Sequence, residues 1–346
     1  MSRVDMKTFA SPAWIIFFMT TAARRVPARG PGLAGYRTRV PILEISDLII
    51  RHDVATGASL PVRRDEVIAA LRAAGDRRGA RIVAGLPHRD GVLEAAAVDR
   101  LLVRTHTELQ RLNEELRIAE QLAELLGPLL AAVARGGERP RVVDVGCGIG
   151  YAVRWLAAAG VLGDVDLSGV DFNPALVAEA TRLADVEGLA CRFVRGDAFA
   201  LPGSATVYIS VGVLHHLRGD ALGAFFRAQA DAGAQAYCHF DIAATRLAPV
   251  GAWMFHRARM REPLGRHDGV VSARRAHTDH DLMTAARSAP GLVPLLHRPT
   301  HHSNPFCASV RPLLGVRPQE VSALRAALGP AARHLVTDSR PMRRPW

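Results

Sequence analysis

From residue 140 onward the chain alternates short apolar runs with longer segments whose apolar positions recur every three or four residues. Runs near 141–145, 165–170, 190–194, 207–211 and 235–240 have the length and continuity of buried strands. The segments 153–159, 174–187 and 220–232 carry helical spacing between them. A helix near 279–287 and runs near 292–296 and 306–310 complete the series, for seven strands in all. Strands separated by helices in this rhythm predict a doubly wound α/β sheet.

The pattern before residue 140 is different. Residues 64–74 place Val67, Ile68, Leu71 and Ala74 on one helical face, with Asp65 and Glu66 in the first turn. Asp90 reads as the N-cap of a second helix that runs to about Ile118, and a third spans 121–133 before Gly136-Gly137. The apolar stretch 42–50 fits either a strand or a buried turn of helix. These elements predict a mainly helical N-terminal cap over 33–138, preceded by a loose extension over 1–32. The sheet domain is then expected over 139–315, with an arginine-rich insertion at about 242–278, and residues 316–346 as a C-terminal tail.

The chemistry-bearing signal is Asp144-Val145-Gly146-Cys147-Gly148-Ile149-Gly150, a strand entering a glycine turn that opens a helix. Such a turn brings backbone N–H groups within reach of a ligand. Dinucleotide enzymes use G-x-G-x-x-G, whereas Tyr151 stands one past this G-x-G-x-G. Asp171 closes the next strand, where a carboxylate can accept from both hydroxyls of a ribose. With these residues the chain resembles the class I S-adenosylmethionine-dependent methyltransferases, and the resemblance spans about residues 140–242.

The resemblance implies a Rossmann-like sheet and S-adenosylmethionine as cofactor. It sets Asp144 toward the methionine amino group, Gly146, Cys147, Gly148 and Gly150 in the turn beneath the cofactor, Asp171 on the ribose and Phe172 beside the adenine. Gly196-Asp197-Ala198 is similar to the family's adenine-recognition segment. Val211-Gly212-Val213-Leu214-His215-His216-Leu217 is similar to the segment that ends the fourth strand, where Ser210 and Val211 would border the cofactor. Ser204-Ala205-Thr206 stand where the family often has an acid, and the Asn/Asp-Pro-Pro-aromatic box of enzymes that methylate base amines is absent.

Methyl transfer needs an acceptor held in line, and an oxygen or acidic carbon also needs a base. His216, and after it His215, are the candidates at the ligand-binding edge of the sheet, with His239 and Asp241 nearby. In the insertion, Arg257, Arg261 and Arg274 are expected to bind a carboxylate or phosphate of the acceptor. His277 and His280, with His301 and His302 downstream, do not make a metal site, because no cysteine or clear acid completes them. The expected function is methyl transfer to an oxygen, or else a carbon or nitrogen, of an acidic or carrier-linked small molecule. RNA or protein methylation, and a methyltransferase-like binding protein without turnover, are the alternatives.

Composition modifies this only at the margins. The chain has 346 residues and a formal net charge of +11, and Lys7 is its single lysine among 44 basic residues. The three stretches 1–140, 141–242 and 243–346 carry +5, −4 and +10, so the cofactor-binding stretch is the acidic one. Nucleic acid is therefore possible but not favoured as a partner. Cys147, Cys191, Cys238 and Cys307 form no C-x-x-C pair, which suits a reducing cytoplasm. The apolar run 10–23 is too short to span a bilayer; a signal peptide is the lesser alternative to a loose extension, and Met19 is a second possible start. Oligomeric state is left open.

Overall fold

The structure, a computed structural model, describes residues 41–53, 56–134, 137–298 and 310–337. The extension 1–32, Met19, His301 and His302 lie outside them. Eight strands form one sheet: β3 (Arg141–Val145), β4 (Asp166–Asp171), β5 (Cys191–Arg195), β6 (Val207–Val211), β7 (Ala236–Ile242), β8 (Val293–His297), β9 (Val310–Val316) and β10 (Leu335–Val336). Their order across the sheet is 5-4-3-6-7-9-8-10. Neighbours from β5 to β7 are parallel, whereas β9 runs antiparallel between β7 and β8. This is the expected doubly wound Rossmann-like fold, with one more strand than the pattern announced.

Strand order reverses between β3 and β6. The loops leaving those two strands diverge, and the carboxyl edge there opens the crevice in which such folds bind ligands. Helices α6 (Tyr151–Ala159), α7 (Pro174–Glu187) and α8 (Asp220–Asp231) make the crossovers. Asn173 caps α7 by accepting from the N–H groups of Ala175 and Leu176, with Pro174 at the first helical position. Sheet strands this thoroughly buried need helices on both faces, and two apolar clusters flank the sheet accordingly.

The cap consists of α1 (Ile45–Ile49), α2 (Arg64–Ala73), α3 (Arg77–Ala84), the short hairpin β1 (His88–Arg89) and β2 (Val92–Leu93), and α4 (Ala95–Glu115). The ambiguous stretch 42–50 is thus a helical turn. Asp90 does not cap a helix. With Gly91 it forms a two-residue hairpin turn, both at positive φ (49° and 80°), and the helix starts only at Ala95. Asp-Gly is favoured in such turns because both central residues must be left-handed.

Two boundaries shift for the same reason, burial against the sheet. Helix α5 (Ile118–Val133), assigned by sequence to the cap, packs Leu122, Leu126 and Leu129 against Val142, Ile209 and Cys238, so it covers the sheet instead. Residues past 316 are not a tail as far as Val336. Helix α12 (Val321–Leu328) buries Leu324 and Leu328 in that same cluster, and β10 pairs with β8. The strand placed near 306–310 is observed at Val310–Val316. The insertion holds two helices, α9 (Ala248–Arg259) and α10 (Pro263–Arg275), followed by α11 (Asp279–Ala286). No helix among the described residues is long and apolar enough to cross a membrane.

Candidate active site

The glycine turn leaves β3 and enters α6 at the carboxyl edge. Gly148 has φ +56°, and a Cβ there would stand 2.7 Å from the His106 ring of α4; Gly150 has φ +76°, and its Cβ would stand 2.5 Å from Phe193. Neither position accepts a side chain, because the turn is packed closely against these two rings. Gly146 donates to the Val170 carbonyl at 2.8 Å, fixing the turn on β4. Cys147 turns the other way: its N–H also bonds Val170, and its thiol, pushed up in pKa by burial, packs under Gly169.

Asp171 organises the turn through both oxygens. Oδ2 accepts the Gly148 N–H at 2.8 Å and Oδ1 the Asn173 N–H at 2.9 Å, which leaves one lone-pair direction on each for a ligand. Asp144 is only 2 % exposed and its Oδ1 has no hydrogen-bond partner among the described residues. Burial, reinforced by Asp171, raises it to about 7. Phe172 is half-buried, edge-on to His52 of the cap at 5.7 Å. Asp197 and Ala198 are half-buried after β5, and Asp197 Oδ1 accepts from Phe199 N–H at 2.9 Å.

At the end of β6 the placements divide. Val211 is half-buried at the edge, but Ser210 is fully buried and its hydroxyl bonds His239 Nδ1 at 2.9 Å. His239 bonds Gln229 through its other nitrogen, stacks on Tyr237, and is driven by burial down to about 3. Ser210 and His239 are therefore interior structure, and their side chains face no ligand.

His215 and His216 sit on a single 3-10 turn (Leu214–His216), their rings 4.4 Å apart. His277 clamps that turn, its Nε2–H donating to the Leu214 and Leu217 carbonyls at 2.9 Å each. Asp241, at the end of β7, accepts both the backbone N–H of His215 (3.0 Å) and its ring Nδ1–H (2.9 Å). The second ring meets the cap: His216 Nδ1 lies 2.8 Å from Asp47 Oδ1 and 3.3 Å from Glu44 Oε2. Burial opposes a charge on His216, but Glu44 and Asp47 outweigh it and raise the ring to about 9.

Asp47 and Glu44 are functional candidates that no sequence pattern marked, and Arg275, one of the insertion's arginines, joins them. Arg275 Nη1 lies 2.5 Å from Asp47 Oδ2 and 3.3 Å from Glu44 Oε1, and Nη2 donates to the His216 carbonyl at 2.9 Å. Asp268 of α10 accepts the Ile45 and Ser46 N–H groups at the start of α1, so the insertion holds the cap helix in place. Charged residues inside the apolar stretch 42–50 were the available signal. Of the arginines assigned to the acceptor, Arg257, Arg261 and Arg274 are all exposed, whereas Arg275, one residue further on, turns inward.

Residues 142–233 match the family model described as a methyltransferase domain. This segment is a methyltransferase domain. It contains the glycine turn, Asp171, Asp197 and both edge histidines, while the cap and the insertion lie outside it. An uncharacterized protein of Mycobacterium tuberculosis is 30% identical over 135 residues, 37% of this chain and 48% of that protein, and one of Mycobacterium bovis matches to the same extent. The chain thus spans about half the length of the curated relatives it matches.

Among solved structures, the magnesium protoporphyrin IX methyltransferase of Synechocystis with bound SAH is 19% identical, covering 73% of this chain and 99% of that one, with a TM-score of 0.41. A plantazolicin methyltransferase in complex with a desmethyl analog and SAH is 10% identical, covering 64% and 96%, with a TM-score of 0.45.

Proposed function

We propose that the protein transfers a methyl group from S-adenosylmethionine to an oxygen of a small-molecule acceptor, with carbon and nitrogen as the secondary choices. The observation that carries this reading is one sheet edge holding the glycine turn, Asp144 and Asp171 together with a partnered histidine pair. The buried, unpartnered oxygen of Asp144 suits an ammonium, and the remaining lone pairs of Asp171 suit the two hydroxyls of a ribose. Asp197 and Phe172 would serve the adenine. Bound there, S-adenosylmethionine supplies a methyl group already activated by its sulfonium. The protein's remaining work is to align the acceptor and exclude water.

His215 and His216 face the acceptor side in this reading. The Nδ1–H of His215 is committed to Asp241, which leaves the Nε2 lone pair available on the acceptor side. Arg257, Arg261 and Arg274 are exposed and stay available to an acidic acceptor. They also suit, as a second reading, an anionic macromolecule, and retention on RNA at low salt tests it. Without such retention the small-molecule reading stands alone.

Titration with S-adenosylhomocysteine is expected to give one-to-one binding in the micromolar range; no heat and no thermal shift at millimolar ligand would reject the enzyme. The pH dependence follows from Asp144, which titrates at about 7 when the site holds no ammonium. An ammonium beside it favours the ionised form, so binding releases a proton and strengthens as pH rises. Affinity should therefore increase between about pH 5.5 and 7, a range in which an α-amino group of pKa roughly 7.7–8 stays charged. A flat profile in that window would remove Asp144 from the amine.

A further inference from the structure

Glu44, His215 and His216 offer three metal-ligating atoms that all lie within 4.8 Å of one another. We propose that they bind a divalent transition-metal ion, and that this ion holds the acceptor hydroxyl at the transfer site; the second half of this inference rests on the methyltransferase reading above. Two imidazoles and a carboxylate are a donor set for zinc, cobalt, iron or manganese, whereas magnesium and calcium prefer oxygen alone. His277, set aside as a metal ligand in the sequence, is not part of it, since it is committed to its clamp on the 3-10 turn.

The spacing agrees with coordination. Two donors each about 2.1 Å from one ion lie about 3.0 Å apart at an octahedral angle and about 3.4 Å at a tetrahedral one. His216 Nδ1 and Glu44 Oε2 are 3.3 Å apart. In the loaded site the ion replaces the ring proton that now lies between His216, Asp47 and Glu44.

Outer partners are also in place. Asp241 holds His215 through Nδ1 and so presents Nε2 as the lone pair, the carboxylate–histidine arrangement that orients metal-bound imidazoles. Arg275 steadies Asp47 and lies against the far oxygen of Glu44.

Independent of the spacing, Glu44 is 1 % exposed and its Oε1 finds no hydrogen-bond partner among the described residues. A carboxylate so far removed from water requires positive charge beside it. Arg275 supplies part of this at 3.3 Å from Oε1, and on Oε2 the rest comes from the His216 ring proton or, in its place, from an ion. The His216 side chain is 35 % exposed, so the cluster is open on one side, and three protein ligands leave coordination positions for an acceptor oxygen. A hydroxyl bound there loses its proton to solvent more readily, as water does on zinc.

The test uses the full chain stripped with a chelator and titrated, without S-adenosylmethionine, with cobalt(II) followed by its visible absorption and with zinc followed by calorimetry. One ion per chain is expected. His215→Ala and His216→Ala should each weaken binding by roughly tenfold or more, and Asp241→Asn by about 10–100-fold, as for other outer partners of metal-bound histidines. His88→Ala, on the exposed hairpin, should leave it unchanged. Absence of saturable binding at submillimolar ion, or full retention in the folded His215→Ala/His216→Ala double variant, would overturn the site. A protein that binds S-adenosylhomocysteine but takes up no ion defeats the metal site alone, and one that takes up the ion but fails to bind S-adenosylhomocysteine defeats the methyltransferase reading alone.

Discussion

Replacing Asp171 with alanine is expected to weaken S-adenosylhomocysteine binding by roughly one to two orders of magnitude, because two hydrogen bonds donated to a charged acceptor are lost together. The structure adds a second cause. Asp171 also holds the N–H groups of Gly148 and Asn173, so the alanine variant loosens the turn on one side and the start of α7 on the other. Asparagine, the usual conservative control, is not conservative here. Its amide nitrogen must face one of those two N–H groups, donor against donor, and Asp171→Asn should therefore lose most of the affinity as well. Calorimetric affinities within threefold of wild type for both variants would sink the assignment of Asp171 to the ligand.

The second large effect lies in stability. Removing the Arg275 guanidinium with Arg275→Met leaves Glu44 and Asp47 facing each other with only His216 to balance them, and it frees the His216 carbonyl. Breaking a buried ion pair by deleting one partner costs about 3–5 kcal/mol. Urea unfolding of Arg275→Met should show a loss of that order. Arg275→Lys keeps the charge but cannot reach two carboxylates and a carbonyl at once, so its loss should be smaller. Equal stability of Arg275→Met and wild type would mean that the cap does not depend on this pair.

The cap is attached to the methyltransferase domain through polar contacts far apart in sequence. Arg154 of α6, only 4 % exposed, bonds Gln110 of α4 at 2.6 Å and pairs with Glu187 of α7. Asp268 and Arg275 of α10 hold α1. Deleting residues around 42–50 would remove Glu44, the carboxylate ligand of the proposed metal site, together with Asp47 and apolar packing, so the cap supplies side chains at the sheet edge as well as covering it.

Elements whose periodicity comes from local burial were legible. The strand at 207–211 and the helix at 174–187 were placed to the residue, since apolar continuity and the Asn173-Pro174 cap fix their ends. The hairpin at 88–93 was hidden because its Asp-Gly pair reads equally as a helix N-cap when the following apolar residues run on helically. Helix α5 carried no local sign of which surface it would cover, and α12 lay beyond the last strong pattern. Both are assigned by the sheet they pack on.

The sequence by itself determined the sheet, the glycine turn and the acids at 144, 171 and 197, because a strand followed by a tight turn and a helix is specified by neighbouring residues. Only the tertiary structure decided the surroundings of the histidine pair. Glu44 and Asp47 lie about 170 residues before His216, and Arg275 lies 59 after it. Nothing in local spacing links them. Burial on a shared edge does, since charges withdrawn from water there are stable only in each other's company.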